Sequence, residues 1–183
     1  MTKPAIDAVR SLLRTRQVRE FMPDPVPEDV LHAITEVARY SGSSRNVQPW
    51  RFLVVRDRPR ISALHDAGLP QTRSLATAPA IIAVALPVEP GAEVWHAYDE
   101  GRAAERMLVA ATMLGIAAGI AWMRADIAEA ARGILGVPEG WRVRTVIALG
   151  TPTDAARAPK AAPGTARLPR EQVVFEDRWP DLG

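Results

Sequence analysis

Ala80-Ile81-Ile82-Ala83-Val84-Ala85-Leu86 is an unbroken apolar run bounded by Pro79 and Pro87. An extended segment of this kind turns apolar side chains both ways, so it must be covered on both faces. A second run, Arg142–Gly150, alternates at first and then turns apolar, which predicts another core strand. Phe52–Arg56 and Gly119–Met123 read as shorter strands. Helical spacing is expected over 4–15, with Ile6, Val9, Leu12 and Leu13 on one face. Further helices are expected from Pro27 to about Tyr40, over 59–67, over 97–117, and from an Asp126 cap to Leu135. The plan is α+β: a mixed or mainly antiparallel central sheet flanked by helices.

The chain has 183 residues, enough for one domain with a sizeable core. We expect residues 1–150 to form the α+β body. Residues 151–170 hold Pro152, Pro159, Pro163, Gly164 and Pro169 among many alanines, so they build no core of their own. Val173-Val174-Phe175 and Trp179 then need apolar surface to bury against. A proline-stiffened arm over 151–183, ending in an apolar hook, is expected to lie across another subunit while remaining part of the same domain.

Cysteine is absent, which excludes disulfides, thiol nucleophiles and iron–sulfur clusters. The histidines show no H-x-x-x-H spacing, and no metal site is expected. Neither G-x-S-x-G, a P-loop nor G-x-G-x-x-G is present, so hydrolase, NTPase and dinucleotide-fold readings have no support. Net charge is +2, with Lys3 and Lys160 the only lysines. Arginine's planar fork suits phosphate and carboxylate, although a GC-rich coding sequence also favours Arg with Ala, Pro and Gly. No basic stripe with interleaved aromatics points to nucleic acid. No uncharged apolar run of about 18 residues points to a membrane. A cytoplasmic protein is expected.

Ser41-Gly42-Ser43-Ser44-Arg45-Asn46-Val47-Gln48-Pro49-Trp50 joins a helix to a strand. Small hydroxyls and amides at close quarters suit the polar edge of a flat heterocycle such as a flavin. They equally suit an ordinary loop of local turns. Trp95, His96 and Tyr98 cluster ahead of the long helix and are a low-ranking substrate-pocket candidate, packing being the alternative.

The loop resembles the P-S-x-x-N-x-Q-P-W signature of the nitroreductase family, with Gly42 where proline is usual. Thr15-Arg16-Gln17-Val18-Arg19-Glu20-Phe21 is similar to the family's opening R-R-S-x-R-x-F. Asp99-Glu100-Gly101-Arg102-Ala103-Ala104 and Leu114-Gly115-Ile116 look like its D-x-G-x-A-x and L-G-L pieces, and Arg167–Val174 resembles its closing segment. The resemblance implies the nitroreductase-like, FMN-dependent fold as an intertwined homodimer. It further implies hydride transfer from NADH or NADPH through FMN to a nitroaromatic, quinone or similar conjugated acceptor by a ping-pong scheme. The flavin would carry the chemistry, with no catalytic side chain required. The family's pattern carries phosphate binding onto Arg16, Arg19 and Arg167, with Gln17 in place of a serine and Thr15 in place of an arginine. It carries ring-edge contacts onto Gly42, Ser43, Ser44 and Asn46. Ile120, Ala121 and Trp122 fall where the family presses a segment against the reactive centre of the flavin. Alternatives are another reaction on the same fold (dehalogenation, azoline dehydrogenation, deazaflavin-dependent reduction) or a flavin-sequestering protein with little turnover.

Overall fold

The computed structural model describes residues 3–158 and 167–179. Four strands form one sheet in the order β1-β2-β4-β3, antiparallel throughout: β1 (Arg51–Val55), β2 (Ala80–Pro87), β3 (Ala117–Trp122) and β4 (Trp141–Gly150). The expected apolar run is β2, flanked by β1 and β4. Its alternation sorts two cores. Ile81, Ala83 and Ala85 face α4 (Arg58–Gly68) and α6 (Ala128–Leu135), meeting Ile61, Leu64, Ala131 and Leu135. Ile82, Val84 and Leu86 face α3 (Glu28–Arg39) and α5 (Glu93–Met113), meeting Leu31, Ile34, Met107 and Leu108. Each fully buried Leu or Ile contributes about 1.5–3 kcal/mol, so two complete layers of them fix the sheet between the helices.

Several boundaries differ from the expectation. The helix over 4–15 is broken at Val9 into α1 (Lys3–Ala8) and α2 (Arg10–Arg14), and Leu12 and Leu13 stay exposed. The long helix begins four residues earlier and ends four earlier than 97–117, because Gly115 takes φ 77 and Ala117 already pairs in β3. Asp126 does not cap α6. Its carboxylate is held by Arg124 and it sits in a 3-10 turn before the helix. Residues 159–166 and 180–183 of the expected arm lie outside the described residues. The described part of the tail begins with α7 (Asp154–Arg157) and ends in the exposed segment 167–179. Among the described residues, no helix is long and apolar enough to cross a membrane.

Candidate cofactor site

The stretch after α2 runs beside β3, the outer strand of the sheet. Val18 N–H donates to the Ala118 carbonyl at 2.8 Å, and Gln17 pairs with Ala118 in a parallel bridge. The Gln17 side chain then turns back, and its Oε1 accepts from Ile120 N–H at 3.2 Å. Gly119 lies at the crossing. A Cβ there would overlap the Val18 carbonyl oxygen, so only glycine lets the two backbones meet.

That docking opens a cleft of about 470 Å³, with Gln17, Arg19, Ile120 and Trp122 on one side and Pro70, Gln71 and Arg73 on the other. Arg124 braces the second wall. Its Nη1 donates to the Leu69 carbonyl at 3.1 Å and to Gln71 Oε1 at 3.3 Å, while its other nitrogens hold Asp126. The same contact keeps the Asp126 carboxyl below its ordinary range. Neither the Arg19 nor the Arg73 guanidinium makes a hydrogen bond or ion pair to another described residue. Two exposed cations lining one cleft favour an anion there.

The opening basic residues do not act together. Arg16 donates to the carbonyls of Ala156 (2.8 Å), Arg157 (2.7 Å) and Ala158 (3.2 Å), closing the C-terminal end of α7. Spacing three apart leads Arg16 and Arg19 to opposite duties rather than to one side. In β3, Ile120 and Trp122 face the cleft, whereas Ala121 is fully buried in the core across the sheet. Arg167 opens the exposed segment 167–179.

The Ser41–Trp50 loop is anchored by α5 at successive helical turns. Asp99, 1 % exposed, accepts from Ser44 N–H at 2.9 Å. The Arg102 guanidinium covers Gly42, where a Cβ would overlap it, and Arg106 donates to the Tyr40 carbonyl at 3.2 Å. Ser43 Oγ accepts from Gln48 N–H at 2.9 Å, an internal bond of the loop. Trp50 is buried against Phe52. Arg45, Asn46 and Gln48 take φ of 50, 57 and 52. Such backbone is uncommon outside glycine and gathers at functional sites.

Trp95, His96 and Tyr98 lie inside α5 rather than ahead of it, and they do not form one lid. Helical rotation sends Trp95 and His96 into a pocket of about 330 Å³ with Ser44, Arg45, Val47 and Pro49. Tyr98 joins an apolar groove of about 930 Å³ along α5, with Leu12, Val37 and Met113. Buried His96 has Nε2 3.7 Å from Glu89 Oε2. Among the described residues, no group of three or more His, Asp or Glu is placed to hold a metal. The residues at the cleft that the sequence did not single out are Gln71, Arg73 and Arg124. Arg73 opens a three-residue 3-10 turn, too short to show any periodicity.

Residues 12–72 match the sequence model of the nitroreductase family. Over 95% of its length the chain is 31% identical to an NADH dehydrogenase of Thermus thermophilus, covering 98% of that protein. The chain belongs to the nitroreductase family. It is therefore an oxidoreductase, and solved nitroreductase-fold structures share its architecture. NfrA2 of B. megaterium superposes with a TM-score of 0.81 at 21% identity, covering 96% of this chain and 76% of that one. An FMN-dependent nitroreductase of Clostridium difficile gives 0.77 at 22% identity, covering 92% and 98%.

Proposed function

We propose that the protein is an FMN-dependent homodimeric oxidoreductase that uses NADH or NADPH to reduce a nitroaromatic, quinone or related conjugated acceptor. The observation that carries this reading is the β3 cleft with its two unpaired guanidiniums. Its donor set fits the cofactor. Forked cations suit a phosphate that is close to doubly charged at neutral pH, amides of Gln17 and Gln71 suit ribityl hydroxyls or ring carbonyls, and Ile120 and Trp122 offer apolar surface to a flat ring. Bound FMN supplies the hydride chemistry. Arg19 and Arg73 bind and orient it, and Trp122 with Ile120 keeps water from one face. The strained loop presents Ser44 and Asn46 to the cofactor of a second copy, with Gly42 making room for the Arg102 guanidinium behind it. Arg16 acts through α7, holding the start of the tail, and Arg167 reaches the phosphate only from that tail.

The purified protein should be yellow and release FMN on denaturation, and should oxidise NADH or NADPH faster when a nitroaromatic or quinone is added. Failure to bind added FMN at micromolar concentration rejects the cofactor. Tight FMN binding without nicotinamide oxidation would instead make the protein a flavin carrier.

A further inference from the structure

The β2–β4 ladder contains a register shift. Val84 pairs with Thr145 but Ala85 pairs with Val143, so Arg144 is the extra residue of a bulge. A bulge interrupts the alternation of side chains and re-aims one of them, and bulges are frequent beside active sites. Here the re-aimed guanidinium sits 4.4 Å from the centroid of the Trp122 ring on the neighbouring strand. Trp122 is 43% exposed and forms a wall of the β3 cleft. The cation is therefore fixed behind an aromatic surface that faces the candidate cofactor.

The charge behind that wall is not cancelled by an ion pair. The Arg144 side chain has no hydrogen bond or salt bridge to another described residue. Glu100 of α5, 3% exposed, lies within the field of Arg144 and is set against Thr145 and Arg142 as well. Burial pushes the Glu100 carboxyl up, against the opposing pull of Thr145 and the two arginines. Its Oε1 and the Arg142 Nε and Nη2 atoms are buried without partners. Glu100 therefore opposes Arg144 without forming an ion pair with it, and the guanidinium lies against the indole face, where its charge acts on the ring and on what stacks beyond it.

We infer that Arg144 sets the electrostatic potential of the Trp122 wall and makes the cleft favour the more negative, reduced form of the bound cofactor over the oxidised form. This rests on the FMN reading and adds to it a residue outside the cleft lining. Its charge, rather than its shape, is what acts.

Reductive titration of the FMN-loaded protein against a reference dye tests it. In Arg144→Gln the balance should move roughly tenfold toward the oxidised form, a fall of about 30 mV for a two-electron couple. Arg144→Lys keeps the charge and should hold most of the parent potential. Affinity for oxidised FMN should change little in either variant. An unchanged potential in Arg144→Gln overturns the inference, and so does an equal fall in both variants, which would assign the effect to shape. Glu100→Gln supplies a variant with Arg144 intact. Removing the opposing acid must not lower the potential, and a fall there also overturns the proposal. If the parent itself fails to bind FMN, the cofactor reading falls first, and that result is visible before any potential is measured.

Discussion

Arg19 and Arg73 differ from their neighbours in what they do not touch. Arg16 closes α7, Arg58 donates to the Ala76 and Ala78 carbonyls, Arg60 to the Ile134 carbonyl, and Arg132 pairs with Glu129. Folding alone gains nothing from bringing two uncompensated cations to one cleft, whereas an anion there would be held by charge-assisted bonds. Arg19→Ala should weaken FMN binding by roughly 10- to 100-fold, the equivalent of about 1.5–3 kcal/mol for a hydrogen bond to a charged group. Riboflavin, lacking the phosphate, should bind parent and variant alike. Fluorescence titration with both ligands checks this, and an equal loss for the two would reassign Arg19 to the ring or the fold. Arg19 is singled out only through the resemblance of residues 15–21 to the family's opening segment; its place after a short helix equally suits a solvated surface arginine. The fate of Arg16 could not, because its partners lie about 140 positions away in the chain. The positive φ values of Arg45 and Gln48 were equally hidden, since neither residue type announces that conformation as glycine does.

At the scale of elements, β2 was legible because burial on both faces leaves only apolar residues. The ends of α5 were not. No side chain caps its start at Ala92, and its last turn runs through Leu114 into an apolar stretch that suits helix or strand equally. The cleft itself depends on a contact between elements rather than on any one of them, namely the passage of Val18 across Gly119. Gly119→Ala forces backbone apart and should cost about 1–3 kcal/mol or more. Because Gln17 and Arg19 ride on the displaced segment, cofactor retention should fall with it. Gly133→Ala is the matching control: a Cβ in α6 meets nothing within 4 Å. That change should raise stability by up to about 1 kcal/mol through helix propensity. Thermal unfolding of the two variants should therefore shift in opposite directions. A Gly119→Ala protein as stable as the parent and fully loaded with FMN would show that the crossing is not what holds the cleft.

For the whole molecule, exposed apolar residues include two groups, one along the α5 groove and one along the terminal segment. Leu12, Tyr98 and Met113 stand 55%, 68% and 70% exposed around the α5 groove. Leu168, Val173, Val174, Phe175 and Trp179 are exposed along the terminal segment, with Phe175 and Trp179 packed edge to face at 4.9 Å. Among the described residues, β1 pairs on one side only, with β2. An exposed apolar groove of this kind marks an interaction surface. A second copy is the simplest cover, because a two-fold interface sets the same stripe against itself, with Arg102, Glu105 and Arg106 supplying charges of both signs at the groove. On the proposed function, the same assembly would bring the loop anchored by Asp99 to the partner's cleft. Met113→Arg puts a cation in the middle of that stripe without disturbing either core, since the residue is exposed. Sedimentation should then show a monomer for the variant and the proposed dimer for the parent, and FMN affinity should fall although Arg19, Arg73 and Trp122 are intact. A variant that stays dimeric with parental affinity would place the interface elsewhere, and a monomeric variant that binds FMN as tightly as the parent would show that one chain completes the site alone.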